Sequence, residues 1–150
     1  MADRVQFELV TPERLLLSEM VEMVVVPGTE GNFGVLPGHA PLISSIRPGT
    51  IDVYEGQTVT RRIFVVSGIA EVTPERCTVL ADEAVSPDEF DPAAIEAELQ
   101  TIQGNLPSLR EQVGRAAESE RGTLLIELHR LERRQNVLQA ELQTLGDIAR

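Results

Sequence analysis

The sequence has no lysine, no tryptophan and a single cysteine, Cys77. One cysteine excludes a disulfide within the chain and a zinc site of the cysteine-rich kind. Without lysine there is no Walker loop, since that phosphate-binding loop needs Gly-Lys-Ser/Thr at the start of a helix. The 13 basic residues, all arginine, are outnumbered by 24 acidic ones, and the net charge is −11. This balance argues against nucleic acid or an anionic membrane surface as the main partner, because both require a basic footprint.

Long apolar runs are also absent. The longest cover only a few residues, such as residues 23–26, whereas a membrane-spanning helix needs about 20. The first strand-like residues follow Met1 closely, with no signal or transit segment before them. We therefore expect a soluble bacterial protein of a reducing compartment, whose link to any membrane is made by its partners.

Residues 1–87 have the pattern of an all-β domain. Val5, Phe7 and Leu9 alternate with Gln6 and Glu8, as in a half-buried strand. Turn signals recur about every ten residues, which is typical of a sandwich or barrel. Because the sequence has only four Phe and one Tyr, the core must be aliphatic. The predicted strands cover residues 5–9, 21–26, 51–54, 57–66, 69–72 and 77–80.

Residues 88–150 change to a helical period. Apolar residues recur at alternating spacings of four and three on two successive segments, which predicts one narrow seam on each of two helices. Asp91 and Pro92 indicate a helix start, with Asp as N-cap and Pro at the first helical position. We predict an antiparallel helical hairpin. Its seam positions are Ile95, Leu99, Ile102, Leu106, Leu109, Val113 and Ala116, then Leu124, Leu128, Leu131, Gln135, Leu138, Leu142 and Leu145.

Two places compete for the break between the helices. Residues 119–123, with Gly122, lie between the two seams. Residues 104–107, Gly-Asn-Leu-Pro, should stop a helix, and the capping-box pattern that begins at Ser108 can restart one. The unbroken seam favours a kinked continuous helix, whereas the cap signals favour a break at Pro107.

The stretch GNFGVLPGHAPLISSIRPG, residues 31–49, raises the question of an active site around His39. Its glycines have neither the spacing nor the context of a dinucleotide-binding loop. No nucleophile or acidic partner stands beside the histidine in the sequence. We interpret the stretch as a glycine-shaped turn followed by a loop stiffened by proline. Cys77 is interpreted as a small buried hydrophobe.

Three arginines cluster off the leucine seam of the second predicted helix: Arg130, Arg133 and Arg134. They form either a solvated face, with favourable pairs such as Glu127–Arg130, or a basic surface for an acidic partner. The sequence leaves both alternatives open.

Two segments together resemble one known family. They are VEMVVVPGTEGNFGVLPGHAPLISSIRPG and IFVVSGIAEVTPERCTVLADEAV, within residues 5–95. Both are similar to the epsilon subunits of bacterial F-type ATP synthases. The resemblance implies a ten-stranded β-sandwich, which binds the gamma subunit and the ring of c subunits, followed by a two-helix domain. It implies a non-catalytic rotor subunit that couples proton-driven ring rotation to ATP synthesis in the alpha–beta head, on the cytoplasmic face of the inner membrane.

The resemblance also implies roles for particular residues. Contact with the ring is expected at Glu30, Gly31, Asn32 and Phe33. Contact with gamma is expected at His39, Ala40, Pro41 and Leu42. In many relatives the helices extend into the head and inhibit ATP hydrolysis, for which Arg130, Arg133 and Arg134 are the candidates here.

One motif of some relatives is altered in this sequence. Those relatives bind ATP through Ile/Leu-Asp-x-x-Arg-Ala, and the matching residues here are Phe90-Asp91-Pro92-Ala93-Ala94-Ile95. Ala94 stands where the arginine should be, so we expect no ATP site. We also expect no cofactor and no metal. The alternatives to a rotor subunit are a free-standing sandwich-plus-coiled-coil adaptor and a small enzyme that uses His39.

Overall fold

The computed structural model describes residues 3–149. The chain divides into two compact units, Met1–Glu89 and Phe90–Arg150. The first unit contains ten strands within the described residues, and it ends in a 3-10 turn at Pro87–Glu89. The strands are β1 Val5–Thr11, β2 Arg14–Val21, β3 Met23–Gly28, β4 Gly31–Val35, β5 Leu42–Ile46, β6 Gly49–Glu55, β7 Thr58–Val65, β8 Gly68–Val72, β9 Arg76–Ala81 and β10 Ala84–Val85.

The strands form one sheet in the order β10-β7-β6-β3-β5-β8-β9-β1-β2, with β4 paired to β3. The pairings are antiparallel except that of β1 with β9, which is parallel. In β1 the alternate residues Val5, Phe7, Leu9 and Thr11 are buried, as the period of two predicts. Residues of β1, β3, β6 and β9 share one apolar cluster, so the sheet folds over on itself as a sandwich.

The core of the sandwich is aliphatic, as predicted. Phe7 and Phe64 are buried aromatic residues of the sandwich, and Phe33 packs against the edge of its apolar cluster. Valines dominate the rest, because β-branched side chains fit the pleated surface of strands. The buried valines of the cluster are Val5, Val21, Val24, Val26, Val35, Val53, Val65, Val72 and Val79.

Four strands were not predicted from the residue pattern: β2, β4, β5 and the two-residue strand β10. β2 has three consecutive leucines after Arg14 and a bulge opposite Leu9 and Val10 in β1, which hides the alternation. β4 and β5 lie inside the stretch 31–49, so the prediction of a turn followed by a loop was wrong for most of that stretch. Glycine and serine have low strand propensity, and pairing with β3 and β8 decides the conformation instead.

The second unit is a hairpin of α1 (Pro92–Arg115) and α2 (Glu118–Ile148). Asp91 caps α1 as predicted, since its side chain accepts hydrogen bonds from the backbone N–H groups of Ala93 and Ala94. The seam forms as predicted and buries six residues, with Leu99, Val113, Leu124, Leu131, Leu142 and Leu145 packed against them. The buried residues are Ile95, Ile102, Leu106, Leu109, Leu128 and Leu138.

Neither predicted break between the helices is correct. Pro107 lies inside α1, and residues 119–123 lie inside α2. Pro107 is on the exposed face, where water can satisfy the carbonyl that its missing N–H leaves free, while Leu106 and Leu109 beside it are buried. Burial of the seam therefore outweighs the cost of an interior proline.

The link between the helices is Ala116 and Ala117, both in extended conformation. Charges match the helix dipoles on either side, with Arg115 in the last turn of α1 and Glu118 and Glu120 in the first turn of α2. Arg121 also donates to the carbonyl of Ala116 at 3.2 Å. These charges were the available signal for the true turn.

Cys77 is a buried core residue, as interpreted from the sequence. Desolvation raises the pKa of its thiol to about 12, so the thiolate is scarce at neutral pH. We expect the native chain to react with an aromatic disulfide reagent on the order of 1,000-fold more slowly than the urea-unfolded chain. Absorbance of the released thiolate at pH 8 measures both rates. Equal rates for the two states would contradict this burial.

Candidate interaction surfaces

The turn between β3 and β4 carries the residues expected to contact the ring. Glu30 is exposed at the turn, and Gly31 and Asn32 begin β4. The side-chain oxygen of Asn32 accepts a hydrogen bond from Arg47, which follows β5. Phe33 is half-buried against the core. The turn is therefore anchored on its β4 side, while Glu30 is exposed.

The loop between β4 and β5, residues 36–41, carries most of the residues expected to contact gamma. The N–H of Gly38 donates to the carbonyl of Pro74 at 2.8 Å, and the N–H of His39 donates to Leu36 at 3.1 Å. Gly38 has a φ of +84°, which favours glycine. The Nδ1 atom of His39 lies 2.6 Å from the carbonyl oxygen of Ala40. These hydrogen bonds hold the loop in place, and the imidazole ring of His39 contacts the backbone of the loop.

The residues expected to contact the ring line one groove of about 450 Å³, together with one residue of the expected gamma set. The turn from Thr29 to Phe33 forms one side, and residues 42–45 of β5 form the other. Leu42 of the gamma set lines this groove, whereas His39, Ala40 and Pro41 do not. Ile43 is the most exposed large apolar side chain at the groove.

The outer face of the sheet carries an apolar row that sequence reasoning missed. Ile69 pairs with Leu80, Leu80 with Val10, and Val10 with Leu15, so the four residues cross four strands in direct register. Ile69, Leu80 and Leu15 are 48%, 51% and 55% exposed, and Val10 is half-buried. We call these four residues the outer apolar row. Adjacent exposed apolar residues in register mark an interaction surface more often than scattered ones do.

A local signal for this row was present in the sequence. The run of Leu15, Leu16 and Leu17 puts apolar residues on both faces of β2, and Val79, Leu80 and Ala81 do the same on β9. Strands with one solvated face normally alternate apolar and polar residues. The register that aligns the exposed members is set by long-range pairing, so the row itself could not be predicted.

The three clustered arginines of α2, Arg130, Arg133 and Arg134, differ in their surroundings. Arg130 pairs with Glu127 in the same helix, at 2.7 and 3.0 Å, whereas Arg134 reaches across to Glu98 of α1, at 2.6 and 2.9 Å. These guanidinium groups hold the pKa values of both glutamates below the usual range, chiefly by hydrogen bonding. Arg133 is exposed and forms no ion pair within residues 3–149. The predicted Glu127–Arg130 pair is confirmed.

Comparison with known proteins identifies the family. Residues 4–87 match the model described as the ATP synthase Delta/Epsilon chain beta-sandwich domain. The chain is 54% identical over 116 residues to an ATP synthase epsilon chain of Rhodospirillum rubrum, covering 77% of this chain and 87% of that one. The chain belongs to the ATP synthase epsilon family. The epsilon chain of Rhodospirillum centenum is 53% identical over 122 residues, which cover 78% of this chain and 84% of that one.

One solved structure matches nearly the whole chain in fold. A chain in a Euglena gracilis mitochondrial ATP synthase assembly, described as OSCP/F1/c-ring, matches with a TM-score of 0.73. The match covers 97% of this chain and 83% of that chain at 21% identity, so it shows a common fold. Within residues 3–149, neither helix has a stretch long and apolar enough to cross a bilayer.

In some epsilon subunits the start of the first helix carries a nucleotide-binding motif, and in this chain the matching residues form a helix cap instead. Both Asp91 hydrogen bonds go to backbone N–H groups at the start of α1, and Ala94 offers no guanidinium for a phosphate. We expect isothermal titration of the purified chain with ATP to give no heat of binding up to about 1 mM. Saturable binding at micromolar ATP would contradict this expectation.

Proposed function

We propose that this chain is a non-catalytic subunit of the ATP synthase rotor, which joins the gamma subunit to the ring of c subunits. Its relatives are named ATP synthase epsilon chains, and they align over most of their length. The observation that carries the proposal is the outer apolar row, because such a surface favours burial against a protein partner. In this proposal the chain lies at the cytoplasmic face of the inner membrane, bound to the ring of c subunits in that membrane.

The gamma subunit is the proposed partner of the outer apolar row and of residues 39–42. The row offers hydrophobic area across four strands, and the exposed Ile43 lies on the neighbouring strand β5, opposite Glu71 of β8. Fixed loops lose little conformational entropy on binding, so they suit a contact that transmits torque. The buried centre of this contact would be bordered by His39, Ala40, Pro41 and Leu42.

The ring is the proposed partner of the turn at Glu30, Gly31, Asn32 and Phe33. The turn is exposed at Glu30, Gly31 and Asn32 and is anchored through Asn32 and Phe33. Its exposed carboxylate and backbone groups are suited to polar loops rather than to lipid.

The alpha–beta head is the proposed conditional partner of the hairpin. Arg130, Arg133 and Arg134 would meet acidic groups of the head when the helices extend, and ATP hydrolysis would then be inhibited. Replacement of all three arginines by Gln should abolish any difference in hydrolysis rate between enzyme with the full chain and enzyme truncated at Asp91. A difference that persists in the triple variant would refute the role of these arginines.

Copurification tests the proposal as a whole. A tagged copy of the chain, expressed in its own organism, should recover gamma, alpha, beta and c subunits in detergent. Removal of residues 90–150 should leave the gamma and c subunits bound, because their proposed contacts lie in the sandwich. Recovery without gamma would refute the proposal and favour the free-standing adaptor.

A further inference from the structure

The turn between β3 and β4 has little packing at its tip. Glu30, Gly31 and Asn32 are all exposed. Gly31 has a φ of +132°, and a Cβ built on it would meet nothing within 4 Å. Glycine has more backbone freedom than other residues, and that freedom must be lost if the turn is to keep one conformation. A turn with an open glycine at its tip therefore depends on contacts from neighbouring segments.

The end of β5 supports the β3 side of this turn through backbone hydrogen bonds. The N–H of Thr29 donates to the carbonyl of Ser45 at 3.0 Å. The N–H of Arg47 donates to the carbonyl of Pro27, also at 3.0 Å. These two bonds hold the first half of the turn, and they bring Arg47 next to it.

The side chain of Arg47 extends this support to β4. Arg47 is half-buried, and its guanidinium donates to the side-chain oxygen of Asn32. Gly49 leaves room for the guanidinium, since a Cβ built on Gly49 would lie 3.0 Å from Nη1 of Arg47 and 3.1 Å from Cβ of Pro27. Because the guanidinium is planar and presents its donors in a fixed fork, it can hold the Asn32 amide in one orientation.

We infer that Arg47 is a positioning residue for the ring contact: its guanidinium holds Asn32, and through Asn32 it holds the exposed turn in the conformation that binds the ring. Arg47 lies outside the set of residues expected to contact the ring, and it acts on that set from the end of β5. A turn that is ordered before binding loses less conformational entropy when it binds. This inference rests on the proposed contact between the turn and the ring.

Order in the turn can be measured on the free full chain by NMR relaxation. Arg47→Met keeps an unbranched apolar stem but removes the charge and the donors. Backbone order parameters of residues 30–32 should fall from about 0.85 to about 0.6. Arg47→Lys restores a charged donor and should recover most of this order. Arg61→Met is the matched control, since Arg61 is exposed on β7 and lies 3.6 Å from its partner Glu19, and it should leave the turn unchanged.

Binding to two targets separates the ring contact from the gamma contact. The labelled full chain is titrated with purified gamma, and separately with gamma bound to the c ring in detergent. Arg47→Met should weaken binding to the gamma–ring complex about tenfold, the factor expected for loss of one hydrogen bond from a charged donor. Its affinity for gamma alone should stay within about twofold of the unmodified chain. Arg47→Lys should stay within about threefold on both targets.

A double variant tests whether Arg47 acts through Asn32. In an Asn32→Ala chain the acceptor is missing, so the addition of Arg47→Met should change the affinity for the gamma–ring complex by less than about twofold. A further tenfold loss in that background would mean that Arg47 contacts the ring directly, and it would overturn the positioning role. Order parameters that are unchanged in Arg47→Met would overturn it as well.

The outcomes separate this inference from the ring contact on which it rests. If Asn32→Ala weakens binding to the gamma–ring complex and Arg47→Met does not, the ring contact stands and the role of Arg47 is overturned. If Arg47→Met disorders the turn but neither variant alters binding to the complex, the hold of Arg47 on the turn is supported and the proposed ring contact is refuted.

Discussion

Leu80→Asp should weaken binding of the chain to gamma about 100-fold or more. Leu80 lies at the middle of the outer apolar row, between Ile69 and Val10. A carboxylate there would be desolvated without a partner in the complex, and central apolar residues of interfaces typically carry a large share of the binding free energy. The free chain should fold normally, since the leucine side chain is already half exposed. Titration of labelled gamma with each chain gives the two dissociation constants.

Ile126→Asp is the matched control for this prediction. Ile126 is 71% exposed on α2, so the same apolar-to-acidic change is made outside the sandwich. The affinity of the Ile126→Asp chain for gamma should stay within about threefold of the affinity of the unmodified chain. If Leu80→Asp also bound gamma with unchanged affinity, the outer apolar row would not be the gamma contact.

Gly68→Ala should lower the free energy of unfolding of the sandwich by about 3–5 kcal/mol. Gly68 has a φ of +147°, and a Cβ built on it would lie 2.0 Å from the carbonyl oxygen of Leu80 and 2.9 Å from the Cα of Ala81. The clash is with backbone of the neighbouring strand, so no side-chain rotation relieves it. Cys77 lies on that strand, and its labelling in increasing urea reports the unfolding of the sandwich.

Gly114→Ala provides the comparison. A Cβ at Gly114 would meet nothing within 4 Å, and the residue is helical. Alanine has the higher helix propensity, so this substitution should stabilise the hairpin by about 0.5–1 kcal/mol. It should leave the urea midpoint of Cys77 labelling unchanged. An unaltered midpoint for Gly68→Ala as well would refute the steric account of Gly68.

The parts of the fold set by local pattern were predictable from the sequence. The seam from Ile95 to Leu145 follows from spacing alone, and the Asp91 cap follows from two adjacent residues. The alternation in β1 likewise gave the correct buried residues. In each case the determining interactions are near in sequence, so a short window contains the information.

The parts set by distant pairing were not predictable. β4 and β5 are strands because β3 and β8 supply hydrogen bonds, against the preference of their glycines and serines. Pro107 continues α1 because burial on the opposite face outweighs its cost. The outer apolar row requires the register of four strands, including a parallel pair of residues far apart in the sequence. The family resemblance supplied the candidate contact residues, whose roles remain proposals.

The most direct test of the central claim is the affinity of the unmodified chain for purified gamma from the same organism. Isothermal titration at moderate salt should give one chain per gamma, a dissociation constant in the nanomolar range and a negative heat-capacity change from apolar burial. Residues 1–89 alone should bind with the same stoichiometry and similar affinity. Absence of binding by the full chain at micromolar concentrations would contradict the assignment of this chain to the rotor.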